Sequence, residues 1–78
     1  GKLPFDLYLY KYNLCIEYHG IQHYEPVMFF GGKEKFKERR NRDSIKERYC
    51  SENGIGLLVI PYTEDKNIEE ILRKELNI

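Results

Sequence analysis

The sequence predicts a small α/β domain on a mixed sheet: an antiparallel β-hairpin, a crossover helix to a parallel strand, and a C-terminal helix. Three observations carry that prediction. Residues 5–10 ("FDLYLY") and 14–18 ("LCIEY") are rich in aromatic and apolar side chains and flank the turn-like "KYN". Residues 33–52 contain neither proline nor glycine, and residues 55–62 ("IGLLVIPY") form a nearly continuous apolar run. A strand, a helix and a second strand in that order require a crossover, which sets the later strand parallel to the earlier one.

A turn centred on Lys11 and Tyr12 fixes the hairpin register. Leu9 then faces Leu14, Leu7 faces Ile16 and Phe5 faces Tyr18, so one sheet face is apolar and meets the core. The other face holds Tyr8 across from Cys15 and Asp6 directly across from Glu17, with His19 one step further along. The segment "PVMFFGGKEKF" reads as a loop leading into the long helix over 33–52, for which "ENG" supplies a stop at Gly54. The apolar run after it reads as a strand buried on both faces. A last helix starts at about Asn67, with Ile68, Ile71, Leu72 and Leu76 at helical spacing.

Seventy-eight residues make one domain, 1–78, with a limited core. The chain opens on Gly1 and reaches a strand almost at once, so it reads as a piece of a longer protein. Thirteen basic and thirteen acidic side chains cancel, but between Gly31 and Cys50 there are eight Lys/Arg against four Asp/Glu, while from Ser51 onward acids outnumber bases six to three. That excess on one segment fits contact with a polyanion, a solvated helix face being the plainer reading. No apolar run approaches the roughly 20 residues of a membrane span, so no membrane partner is expected. Two cysteines, Cys15 and Cys50, make no disulfide framework, which points to an intracellular, reducing setting.

The chemistry centres on "IEYHGIQHY", residues 16–24. Two carboxylates meeting across strands, Asp6 and Glu17, repel each other and call for a compensating positive charge, for which a divalent cation is the simplest candidate. On the long helix, at about 100° per residue, Phe36, Asp43 and Cys50 fall on nearly one line with Arg39 and Lys46 close by. Polar groups on an inward stripe need partners, so Asp43 and Lys46 point toward Glu17 and His23. The alternative is that Lys46 snorkels to solvent and Asp43 pairs with Arg39. Asp6, Glu17, His19, His23, Asp43 and Lys46 together suit metal-assisted hydrolysis: hard oxygen ligands for Mg²⁺ or Mn²⁺, and an imidazole to move a proton. Each also has a plainer reading, as a strand-edge acid or a surface histidine, with Gly20 as a bulge. A structural Zn²⁺ site made by Cys15, His19, His23 and Cys50 is a further alternative.

The run "LPFDLYLYKYNLCIEYHGIQHY", then "GGKEKF", "RDSIKERYC" and "IGLLVIPYT", resembles the endonuclease-like domains of phages and large DNA viruses. These are similar to the very-short-patch-repair endonuclease and belong to the PD-(D/E)xK restriction-endonuclease-like superfamily. The resemblance spans residues 3–63. It implies a restriction-endonuclease-like fold and a Mg²⁺-dependent nuclease, often of the homing type, acting on double-stranded DNA in the cytoplasm of a host cell. Asp6 and Glu17 match the metal-binding acids, His23 the late histidine, and Asp43 and Lys46 the helix motif. The superfamily's lysine falls on His19, which leaves the general base open between His23 and His19. Gln22, Lys33, Lys35, Arg39, Arg40 and Arg42 are the expected DNA contacts. Such nucleases also carry an upstream helix that these residues lack, and a homodimer or an added recognition domain is expected to supply specificity. The alternative is a nucleic-acid-binding module that keeps the fold without turnover.

Overall fold

A computed structural model describes residues 4–78. Gly1 to Leu3, the start of the expected domain and of the resembling stretch, lie outside the described residues. Strands β1 (Leu7–Leu9), β2 (Leu14–His19) and β3 (Gly56–Pro61) form one sheet in the order β1-β2-β3, with helix α1 (Gly32–Glu52) between β2 and β3 and helix α2 (Ile68–Leu76) at the end. Short 3₁₀ turns occupy Ile21–His23, Met28–Phe30 and Tyr62–Asn67. The β1–β2 pair is antiparallel with Leu7, Tyr8 and Leu9 facing Ile16, Cys15 and Leu14, and β3 runs parallel to β2 from Leu14↔Gly56 to His19↔Pro61. The mixed sheet is present, and so is the expected hairpin register over Leu7–Leu9; Phe5, expected opposite Tyr18, lies outside the ladder.

Local chemistry explains the connections. Asn13 closes the hairpin at φ +49°, a left-handed conformation that asparagine tolerates, and its carbonyl and side chain bind Gly56 N–H and Gly54 C=O, each at 2.9 Å. The hairpin turn is thereby fastened to the entry of β3. Helix α1 stops where Gly54 takes φ +66°, and Ile55 N–H reaches back to Cys50 C=O at 2.9 Å. At its other end Gly31 sits at φ +96°, where a Cβ would overlap Lys35 Cγ.

The sheet's two faces differ in kind. Leu14, Ile16 and Ile60 form the buried apolar cluster, covered by Ile68, Ile71, Leu72 and Leu76 of α2 and flanked by Leu9 and Leu58. The opposite side of β2 presents Cys15, Glu17 and His19, all buried, to α1. Inward positions of α1 follow a four-three spacing: Gly32, Phe36, Arg39, Asp43, Lys46 and Cys50 are buried or half-buried while their neighbours are exposed. One helix rests on hydrocarbon, the other on polar groups.

Two expectations are corrected. β3 is not buried on both faces: among its residues only Ile60 is fully buried, because β2 takes the centre of the sheet and leaves β3 at an edge. Asp6 is not a ladder partner of Glu17, since β1 begins at Leu7. At Asp6 the ladder gives way to side chains: Asp6 Oδ2 accepts Tyr18 N–H at 2.8 Å and Glu17 Oε2 accepts Asp6 N–H at 2.8 Å.

The packing ranks the strand residues by cost. Ile60→Ala, at a site 3% exposed, should lower unfolding free energy by about 2–5 kcal/mol, whereas Leu7→Ala, half exposed, should cost less than about 1 kcal/mol. Urea unfolding of the two variants checks the order.

Candidate functional site

The polar face of β2 and the inward stripe of α1 meet along a line of charge. Lys46 Nζ lies 2.7 Å from Glu17 Oε1, and both side chains are nearly sealed from solvent. The Lys46 ammonium also lies 5.3 Å from the centre of the Phe5 ring. Both Glu17 oxygens are thus engaged, one by Lys46 and one by Asp6 N–H. This overturns one step of the sequence reasoning. The positive charge that the Asp6/Glu17 pair calls for is Lys46, so the pairing of carboxylates no longer argues by itself for a divalent cation.

A second cluster sits beside the first. After β2 the 3₁₀ turn Ile21–His23 folds back and lays the His23 ring on His19, with centroids 3.9 Å apart and planes within 8°. Asp43, one helical turn before Lys46, holds His23 Nδ1 at 2.9 Å through Oδ2. His19 Nε2 stands 4.0 Å from Asp43 Oδ1 and 3.8 Å from Glu17 Oε1. Burial, and next the neighbouring His23, push the His19 pKa below its ordinary value, against an opposing pull from Asp43 and Glu17. Tyr24 leans toward His19 at 6.3 Å between ring centroids, and burial followed by the Asp43 carboxylate raises its phenol pKa.

These groups open onto two adjoining clefts. One, of about 270 Å³, is lined by Phe5, Asp6, Glu17, His23, Arg39, Arg42, Asp43 and Lys46, among others. The other, of about 210 Å³, exposes the far side of the histidine pair to Tyr24, Arg40, Ser44 and Glu47. All six residues assigned to chemistry therefore lie in one connected region, and His23 and Asp43 border both clefts.

The expected nucleic-acid contacts divide. Arg39 and Arg42 border the carboxylate cleft and Arg40 the histidine side. Arg39 is anchored by a 3.1 Å bond to Phe30 C=O. Lys35 lies nearer the start of α1, paired with Glu38 at 3.2 Å, and Lys33 is exposed beside it. The Gln22 side chain curls back over Gly20 and lines neither cleft. Of the two zinc-site cysteines, Cys15 and Cys50 are free and buried, and the group of possible ligand atoms among the described residues joins His19 and His23 to Asp43 instead. Sequence reasoning missed Phe5 and Tyr24 as site walls; adjacency to Asp6 and to His23 was the available signal.

No family model matches the chain, and no solved structure matches it. It is similar to uncharacterized proteins of three viruses. The frog virus 3 (isolate Goorha) protein is 42% identical over 76 residues, 95% of this chain and 48% of that protein. For invertebrate iridescent virus 6 the figures are 40% over 63 residues, 80% and 32%; for invertebrate iridescent virus 3, 40% over 64 residues, 81% and 33%. The chain spans about half of the length of the first of these relatives and about a third of the other two. No helix is long and apolar enough to cross a membrane among the described residues.

The buried pair makes a sharp stability prediction. Lys46→Met leaves Glu17 buried without its counter-charge and should cost about 3–5 kcal/mol, while Glu17→Gln combined with Lys46→Met should recover more than half of that loss in urea unfolding. A second prediction concerns pH. Because the folded-state pKa of His19 is lowered, the unfolded chain binds the extra proton below about pH 6.5, so this residue's contribution is intact above that value and declines as pH falls toward the folded pKa. Thermal unfolding between pH 7 and pH 5 should therefore lose less stability in His19→Gln than in the parent chain.

Proposed function

We propose that the chain is a metal-dependent DNA endonuclease domain hydrolysing phosphodiester bonds, on a compact restriction-endonuclease-like arrangement of hairpin, crossover helix and parallel strand. The observation that carries this reading is the convergence of two carboxylates, a His–Asp pair, a lysine and two arginines on a single cleft of about 270 Å³. That is the inventory phosphodiester hydrolysis needs: oxygen ligands for a cation, a base for water, and positive charge for the phosphate.

Asp6 spends one carboxylate oxygen on Tyr18 N–H and keeps Oδ1 clear of the hydrogen bonds described above, and Glu17 borders the same cleft. These hard oxygens fit Mg²⁺ or Mn²⁺, so Asp6 and Glu17 would hold the ion. When bound, the ion supplies Lewis acidity toward phosphate oxygen and acidifies water. The protein's own part follows from its hydrogen bonds. Asp43 fixes the His23 ring through Nδ1, which leaves Nε2 as the nitrogen that takes the proton from attacking water. His19 stacks behind that ring and sets its position. Lys46, Arg39 and Arg42 offset negative charge on the phosphate, and Arg40 contacts the strand beyond it. Double-stranded DNA is the substrate, with specificity supplied by a second copy or by further parts of a longer protein.

One observation favours a second reading, a DNA-binding module without turnover. Both Glu17 oxygens already accept hydrogen bonds from the chain, so this carboxylate is satisfied with no ion present.

Nicking of supercoiled plasmid with and without Mg²⁺ or Mn²⁺ decides between the two. Glu17→Ala is a poor probe because it orphans Lys46; Asp6→Asn and His23→Asn disturb the packing less. Cleavage should require the metal and fall at least about 100-fold in each variant. Salt-sensitive duplex binding with no nicking by the parent chain would establish the binding module instead.

A further inference from the structure

We propose that His19, His23 and Asp43 form a binding site for a borderline transition-metal dication of the Zn²⁺ class, separate from the hard-ion position at Asp6 and Glu17. One ligand atom from each of the three residues lies within 4.8 Å of the other two. His23 and Asp43 are hydrogen-bonded to each other, and His19 stands beside them without a hydrogen bond to either carboxylate. His19 Nε2 is 4.0 Å from Asp43 Oδ1 and 3.8 Å from Glu17 Oε1, too far for hydrogen bonds. Two bonds of about 2.0–2.2 Å at a tetrahedral angle place their donor atoms about 3.3–3.6 Å apart, so His19 Nε2 and Asp43 Oδ1 share an ion after closing by about half an ångström. The 2.9 Å between His23 Nδ1 and Asp43 Oδ2 is already near that of adjacent ligands on one centre. His19 is a buried imidazole aimed between two carboxylates that it does not reach.

The ligand chemistry selects the ion. Two imidazoles and one carboxylate favour Zn²⁺, Co²⁺ or Ni²⁺, whereas Mg²⁺ takes oxygen donors and keeps its water. Burial lowers the His19 pKa, a direction that favours the unprotonated form metals require. The cleft of about 210 Å³ lined by Arg40, Ser44 and Glu47 is the route by which an ion would enter on this side.

Binding has a structural cost that also provides a signature. A coordinated ion lies in the plane of each imidazole, so rings stacked 3.9 Å apart must splay. His19 belongs to the central strand and Asp43 to the middle of α1, so the part that moves is the three-residue turn Ile21–His23. The neutral His23 ring carries its proton on Nε2 when Nδ1 is metal-bound, so no proton is released. For the nuclease reaction, and this consequence alone rests on that reading, an ion on Nδ1 removes Nε2 as a base. The ion at this site is then an inhibitor and not a cofactor.

Calorimetric titration of the chain with Zn²⁺, with Mg²⁺ as control, tests the site, alongside visible absorption of the Co²⁺ form. One ion per chain is expected, bound at least about 100-fold more tightly than Mg²⁺ and weakened at least about 10-fold by His19→Gln and by Asp43→Asn. The Co²⁺ spectrum should lack sulfur charge-transfer bands, and Cys50→Ser should bind like the parent. Circular dichroism establishes that each variant is folded. Asp43→Asn, at a partly buried position and near-isosteric, carries the test if buried His19→Gln does not fold. Absence of stoichiometric binding, or binding unchanged in Asp43→Asn, overturns the site. Zn²⁺ should also stop Mg²⁺-dependent nicking at concentrations that fill it; stoichiometric binding with nicking unaffected overturns the inhibitory role alone, and a parent chain that never nicks counts against the nuclease reading while calorimetry still decides the site.

Discussion

The Glu17–Lys46 ion pair is the contact on which the polar half of this domain depends. Glu17 sits in the middle of the central strand and Lys46 in the middle of the crossover helix, and little hydrocarbon lies between those two elements. A buried pair contributes modestly to net stability because desolvation offsets most of the Coulomb attraction, but breaking it is costly. Its effect is therefore to specify. It sets the rotation of α1 about its axis and its position along β2, and with them the placement of Asp43 and Cys50 one turn to either side. The second Glu17 oxygen extends the same constraint to Asp6, so three segments distant in sequence are aligned by one carboxylate.

This division of labour explains how so small a chain holds six ionisable groups in one region. The apolar work falls to the other face, where α2 covers Leu14, Ile16 and Ile60. That face supplies most of the hydrophobic stabilisation and leaves the α1 side free to be polar. The polar side is then tightly interlocked, with each carboxylate accepting from a named donor and the two imidazoles stacked. Such networks hold only when their members are satisfied. His19 is the member whose ring nitrogen falls short of its neighbours.

Much of this could be read from the residues because the periodicities were strong. The alternation in 5–10 and 14–18 carried the hairpin register over Leu7–Leu9, and the run from Lys33 to Glu52 had no competing interpretation. The seven-residue spacing of Phe36, Asp43 and Cys50, with Arg39 and Lys46 nearby, marked the inward face of α1 even though that face is hardly apolar. What stayed hidden depended on groups far apart in the chain. Whether Lys46 snorkels or pairs is decided by its distance to Glu17, which no local pattern records. The same holds for β3, whose apolar run suggested a strand buried on both faces: how much of a strand is covered is set by the elements packed against it and not by its composition. The short span of β1 was hidden because Asp6 replaces a ladder bond with its side chain, and sequence period cannot distinguish the two.

Leu14 pairs with Gly56, which closes a loop more than forty residues long at the mouth of the parallel ladder. Every candidate group except Asp6 lies on β2 or on the excursion that this pairing encloses. The entropy of closing such a loop grows only with the logarithm of its length, by about 0.6 kcal/mol per doubling. The stretch between the histidine turn and α1 could therefore lengthen, shorten or change composition at little thermodynamic cost, while the strand and helix at its ends keep the chemistry in register. In a fold of this size, that makes the Tyr24–Gly31 segment the place where variation in length and sequence is cheapest to accommodate.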